Sequence, residues 1–193
     1  SSAGNYVERF EKALSAYLGA GHAVATVNGT AALHTALLAS GIEPGSEVIV
    51  PTLTFIAPIN AVRYTGAFPV FIDVEPDFFQ IDSRKVADFI ENECQYKNRR
   101  LLNKSSGREI QAIMPVHILG HPCDMEPILD IARKYELVVI EDAAESLGAQ
   151  YKGKYVGSMG NAGCLSFNGN KIITTGGGGM VLTGDEDIAR RAR

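Results

Sequence analysis

The chain has 193 residues, 46% hydrophobic and 21% charged, a balance that excludes intrinsic disorder and suffices for one domain with a substantial buried core. Its net charge of -4 arises from 22 acidic and 18 basic residues scattered along the chain, which leaves no positive stripe for a nucleic-acid backbone and makes a small-molecule partner the expectation. The three cysteines, Cys94, Cys123 and Cys164, lack CxxC spacing, which argues against a disulfide framework or structural zinc site and for a reducing, cytoplasmic setting.

Short β-branched runs alternate with stretches of helical spacing, predicting βαβ units and an α/β fold with a mainly parallel sheet covered by helices on both faces. A first strand over 22–27 leads into 30–40 (TAALHTALLAS), apolar on every face and followed by Gly41, the pattern of a buried helix with a glycine stop. A strand over 47–51 precedes a helix over 56–64, and a strand over 69–72 precedes a helix over 83–93 that opens on the capping residue Ser83. The polar stretch 95–109 (QYKNRRLLNKSSGRE) breaks the alternation and reads as an exposed excursion without chemistry. Then come a strand over 112–117, a helix over 125–135 with Asp124 as candidate N-cap, and strands over 137–141, 163–167 and 179–183, making seven in all. A last helix, opened by Asp185, covers 186–193.

Apolar runs such as 137–140 are far shorter than a membrane span, and no charged leader followed by an apolar stretch opens the chain. With no internal repeat or low-complexity linker, residues 1–193 are expected to form a single domain. The missing initiator methionine and a final helix running to Arg193 read as a piece of something longer.

In parallel α/β sheets ligands bind beyond the carboxyl ends of the strands, so position after a strand is the filter for chemistry. Three segments pass it. In Asn28-Gly29-Thr30-Ala31, between the first strand and its helix, small residues and free N–H groups favour a phosphate, although Asn-Gly-Thr is also an ordinary turn with a threonine cap. The apolar strand in LVVIEDAAESLG (137–148) delivers Glu141 and Asp142 to its end, where a carboxylate is costly to desolvate unless it meets a cation or donors. The plain alternative is an N-cap, with Glu145 completing a capping box. Ser166-Phe167-Asn168-Gly169-Asn170-Lys171, followed by Thr174, Thr175 and four glycines, places a lysine just past a buried strand among small neighbours. A lone lysine there is more often a solvated side chain than a nucleophile.

The combination changes the weighing. An amine, an acid and a helix N-terminus are what the aldehyde, pyridine nitrogen and phosphate of a pyridoxal cofactor require. Phe55, just after the second strand, is placed to cover the ring, its alternative being plain core.

The stretches NGTAAL (28–33), PTLTFIAPINAV (51–62), FIDVEP (71–76), PVHILGHPCDM (115–125), EDAAESLGAQYKGKYVG (141–157) and SFNGNKIITTGGGGM (166–180) resemble, in order, the DegT/DnrJ/EryC1/StrS family of sugar aminotransferases. The resemblance implies the large domain of fold type I and pyridoxal 5'-phosphate as cofactor. It implies Lys171 as the Schiff-base lysine and proton carrier, Asp142 as partner of the pyridine nitrogen, and Phe55 stacked on the ring. Gly29, Thr30, Ala31 and Ser166 would hold the phosphate. Glu145 lies where relatives place glutamine or histidine near the phenolic oxygen; an ionised glutamate would repel a phenolate, so it is protonated, turned away or differently used.

Some members carry histidine in place of the lysine and act as dehydratases, so Lys171 implies transamination. An amino acid, glutamate being expected, would donate to a keto group of a nucleotide-linked sugar in bacterial surface-polysaccharide biosynthesis. The wording FNGNKIITTGGGG looks closest to the branch serving legionaminic-acid-type sugars. The resemblance further implies a homodimer with shared active sites, and a preceding segment and a small C-terminal domain that lie outside this chain. Two alternatives stand beside it. One is a non-catalytic or regulatory member of the same fold; the other, a dehydrogenase-type nucleotide binder, is disfavoured because no GxGxxG follows the first strand.

Overall fold

The computed structural model describes residues 4–193. In chain order its elements are α1 (Asn5–Leu18), β1 (His22–Thr26), α2 (Gly29–Ala39), β2 (Glu47–Pro51), α3 (Ile56–Tyr64), β3 (Phe68–Ile72), α4 (Ser83–Glu93), β4 (Cys94–Lys97), β5 (Arg100–Asn103), β6 (Glu109–Ile113), α5 (Met125–Tyr135), β7 (Val138–Asp142), β8 (Gln150–Tyr151), β9 (Lys154–Tyr155), β10 (Ala162–Ser166), β11 (Gly179–Thr183) and α6 (Glu186–Ala192). The seven expected strands all form and run in the order β1-β11-β10-β7-β6-β2-β3. β10, β7, β6, β2 and β3 pair parallel, and β11 alone runs against both its neighbours on that path.

Side-chain alternation explains why helices cover both faces. Along β2, Val48 and Val50 pack with Leu33 and Leu37 of α2 and Val62 of α3, whereas Ile49 between them packs with Val86 of α4 and Ile128 of α5. Along β7, Ile140 joins the first group and Val139 the second. A strand apolar at every position thus buries two sets of side chains, each fully buried Val, Leu or Ile being worth about 1.5–3 kcal/mol. α1, with Leu14 and Leu18, covers the β1–β11 end against Met180 and Leu182.

Two features depart from expectation. The stretch 95–109 is no loose excursion: β4 and β5 form a hairpin that adds to β6 and brings the sheet to nine strands. Its two turn residues, Asn98 and Arg99, both have positive φ, the geometry of the tight turn that matches sheet twist. Asn103 of β5 donates to the buried Glu47 carboxylate at 2.9 Å, tying the hairpin to β2. The expected strand over 112–117 accordingly starts earlier, at Glu109, and leaves regular pairing after Ile113. α1 has no counterpart among the expected elements.

Caps also shift. Asp82 rather than Ser83 caps α4, accepting from the Arg84 N–H at 2.9 Å, and Asp124 sits before α5 with its carboxylate taken by the Tyr151 hydroxyl. Among the described residues no helix is long and apolar enough to cross a membrane.

Candidate active site

A cleft of about 360 Å³ opens where β1, β2, β6, β7 and β10 end, and each strand contributes the segment that follows or terminates it. β1 leads to Asn28, Gly29 and Thr30, β2 to Phe55, β6 to His117, β7 to Asp142 and Glu145, and β10 to Ser166, Asn168, Asn170 and Lys171. Of the expected site residues only Ala31 lies outside this lining; its N–H is spent on the Asn28 side chain, which caps α2 at 2.8 Å.

That cap leaves part of the helix N-terminus open. The first N–H groups of a helix have no intrahelical partner, and here Asn28 satisfies those of Ala31, through its side chain, and Ala32, through its carbonyl at 3.0 Å. The Gly29 and Thr30 N–H groups remain at the positive end of the helix. Gly29 is required by close approach: a Cβ there would stand 2.8 Å from Ser166 Cβ and 3.1 Å from its Oγ. The sequence alternative of an ordinary turn capped by threonine is replaced by a helix capped by asparagine.

β7 alternates, and its two carboxylates part company. Glu141 turns to the α5 side, where it accepts from the N–H groups of Gly157 (2.7 Å), Met159 (2.7 Å) and Gly160 (2.6 Å) and meets His117 Nε2 at 3.0 Å. The Cys123 N–H donates to His117 Nδ1 at 3.0 Å, so the ring proton resides on Nε2 and is given to Glu141. Burial works to raise the Glu141 carboxyl, but His117 and the N–H donors prevail and hold it below the usual range.

Asp142 turns into the cleft, and its carboxylate has one hydrogen bond, from the Ala144 N–H at 3.0 Å. Burial pushes its carboxyl up to about 6, with the Ala144 N–H opposing. No helix follows Asp142, so the capping-box alternative for Asp142 and Glu145 does not hold.

Lys171 is held by a loop stitched to Phe167. The Phe167 carbonyl accepts from the Thr175 N–H and the Thr174 hydroxyl, each at 3.1 Å, and the Lys171 N–H donates to the Asn168 carbonyl at 3.0 Å. Phe167 is itself buried and packs edge-on against Phe10. The outcome is a lysine side chain only 14% exposed, not the solvated lysine of the plain reading. Its Nζ lies 3.2 Å from Glu145 Oε1 and 5.3 Å from the Phe55 ring centroid. The second Glu145 oxygen accepts from the Leu119 N–H at 2.9 Å. Phe55 is 61% exposed at the mouth of the cleft, so it is not core.

Sequence reasoning assigned no role to His117, Asn168 or Asn170. A histidine closing a buried segment and two asparagines flanking the lysine satisfied the strand-end filter and were the available signals.

A partly buried amine, a buried carboxylate short of donors, and an open helix N-terminus thus share one cleft at the carboxyl edge of a parallel sheet, the arrangement of an α/β protein with a candidate ligand site. The family model described as the DegT/DnrJ/EryC1/StrS aminotransferase family matches residues 1–193, and the chain belongs to that family. It is 50% identical to GDP-perosamine synthase from Caulobacter vibrioides, over 100% of this chain and 48% of that protein. Among solved structures it is similar to a DegT DnrJ EryC1 StrS aminotransferase from Brucella abortus, with TM-score 0.89, 36% identity, and coverage of 99% of this chain and 49% of that one. It is also similar to NtdA from Bacillus subtilis with bound cofactor PMP, with TM-score 0.84, 37% identity, and coverage of 98% and 39%. The chain spans about half the length of the curated relatives it matches.

Proposed function

We propose that the protein is a pyridoxal-phosphate-dependent aminotransferase that moves an amino group from an amino acid, glutamate being expected, to a keto group of a GDP-linked sugar during bacterial surface-polysaccharide biosynthesis. The observation that carries it is the meeting of Lys171, Asp142 and the Gly29–Thr30 N–H groups in one cleft. When bound, the cofactor supplies an aldehyde that holds amines and a protonated ring that accepts electron density from the carbon losing a proton.

The residues fit that group at each of its handles. Asp142, whose carboxyl burial pushes up to about 6, is a buried anion in want of a cation, which a protonated ring nitrogen provides. The Gly29 and Thr30 N–H groups with the Thr30 and Ser166 hydroxyls line the place for a phosphate. Phe55 stands free to cover one ring face. Lys171 Nζ, once its proton is gone, is the base that carries a proton between neighbouring carbons.

The GDP-perosamine synthase relative supports a GDP-linked acceptor over the legionaminic-acid-type sugars suggested by the glycine-loop wording. Residues 1–193 would act as one cofactor-binding domain, and the three free, buried cysteines support a cytoplasmic setting. Phe55, which lines the cleft, and Leu53, Ile56, Leu119 and Ile172, close in sequence to lining residues, are all exposed, apolar surface of the kind that a second copy covers. The proposed assembly is therefore a homodimer with shared sites.

The test is to add pyridoxal phosphate to the full-length protein and to its Lys171→Ala variant. Wild type should develop a visible band that borohydride fixes on Lys171, and the variant should not; identical spectra would refute the proposal. Incubation with glutamate and GDP-linked keto-sugars should then give an amino sugar. A band without transfer to any keto-sugar would instead favour the regulatory reading.

A further inference from the structure

The position of Glu145 is unlike that of a cofactor-ring contact. Its Oε1 lies 3.2 Å from Lys171 Nζ and its Oε2 accepts from the Leu119 N–H at 2.9 Å. The backbone closes on the same spot: a Cβ on Gly120 would come within 3.0 Å of the Glu145 carbonyl oxygen. Leu119 and Gly120 both have positive φ, so this turn presents an N–H inward where ordinary backbone would not. The Glu145 carboxylate is thus gripped at one oxygen and aimed at the amine with the other. Asp142 also feels the charge of Lys171, but its carboxylate takes its hydrogen bond from the Ala144 N–H.

We propose that Glu145 is the dedicated counter-ion of Lys171, tethering its amine until a ligand in the cleft displaces the pair. This rests on Lys171 being the reactive amine of the proposed function. It also resolves the conflict raised by the sequence, where a glutamate beside a phenolate would be repelled: the charge of Glu145 answers a lysine instead. An amine attacks only when it can approach the carbon, and a Lys171 Nζ held 3.2 Å from Glu145 must leave that partner first. Side chains 14% and 25% exposed make the pair partly screened, so the effect should be moderate.

The experiment measures Lys171 itself. The full-length, cofactor-free protein and its Glu145→Gln variant are treated with trace acetic anhydride near neutral pH, and acetylation of Lys171 is quantified by mass spectrometry against the exposed Lys97 in the same digest. Glutamine keeps an acceptor for the Leu119 N–H while removing the charge, so the turn is preserved. The expected result is Lys171 labelling faster by roughly fivefold in Glu145→Gln, the size of a partly screened ion pair, with Lys97 unchanged. Glu145→Ala should accelerate it equally.

Equal Lys171 labelling in wild type and Glu145→Gln would overturn the proposal. A second reading follows the rise of the visible band after pyridoxal phosphate is added, which should quicken by the same factor in Glu145→Gln; an unchanged rate also counts against it. Failure of wild type to form any band defeats the cofactor assignment instead, while the acetylation ratio still decides the role of Glu145.

Discussion

Glu141 and Asp142 are consecutive, both buried, and both at the end of β7, yet they occupy opposite chemical worlds. The Glu141 carboxylate collects three backbone N–H groups and the His117 Nε2–H, whereas the Asp142 carboxylate collects one N–H and faces an open cleft. The strand's alternation, not the residue type, assigns these fates. The donors around the two groups decide the titration: Glu141 is held low despite burial, and Asp142 is pushed up to about 6 by it. A saturated carboxylate is architecture, and an unsaturated one in a cleft is a candidate functional group.

The strongest way to break this comparison is Glu141→Ala. It strands the N–H groups of Gly157, Met159 and Gly160 and the His117 ring in the interior, and the expected loss is about 3–5 kcal/mol in urea unfolding of the cofactor-free protein. Glu141→Gln, which keeps an acceptor in place, should lose less. A loss below about 1 kcal/mol for the alanine variant would show that Glu141 is no architectural anchor.

Asp142→Asn sharpens the contrast by acting in the opposite direction. The folded-state carboxyl lies near 6 against an ordinary 3.8, so the fold prefers the neutral form. Ionisation therefore penalises the folded state as pH rises through that window, fully above about 6 and not at all below 3.8. Asparagine removes the penalty, and the cofactor-free variant should be more stable by up to about 3 kcal/mol near pH 8. Near pH 3.5 the two proteins should match. Thermal unfolding at the two pH values checks it, and equal stability near pH 8 would contradict the burial of an unsatisfied charge. The same variant should retain pyridoxal phosphate poorly.

What the sequence made legible follows from which signals are local. The seven strands, their helices and the residues Thr30, Phe55, Asp142 and Lys171 could be read because apolar runs mark strands and the position after a strand marks the site. The β4–β5 hairpin escaped because Asn98 and Arg99 adopt positive φ without a glycine to announce it; Arg99 is held there by the Glu136 carboxylate, 37 residues away. α1 carried its signal, with Phe10, Leu14 and Leu18 four residues apart and Gly19 in the left-handed conformation behind them. The division of labour between Glu141 and Asp142 was not legible, since it depends on which face of β7 meets the 157–160 turn. The pairing of Glu145 with Lys171 likewise spans 26 residues and two loops.

The smallest expected change is the most selective test of the cleft's anion end. Gly29 does not have a positive φ, so alanine there strains no backbone dihedral, and as a better helix former it even gains a few tenths of a kcal/mol. The obstacle is space: the new Cβ would lie 2.8 Å from Ser166 Cβ, too close to the root of a side chain to be relieved by a rotamer change. α2 packs through Ala32 and Ala36 against Ala162 and Cys164 of β10, so its N-terminus must lift away from Ser166 rather than the whole helix moving. Stability of Gly29→Ala should therefore fall by about 1–3 kcal/mol, while displacement of the N–H groups from the proposed phosphate position weakens pyridoxal phosphate binding by roughly tenfold, on the order of one lost charge-assisted hydrogen bond. Pyridoxal lacking the phosphate should bind wild type and variant alike. If both ligands weaken together, the helix N-terminus is not the phosphate site.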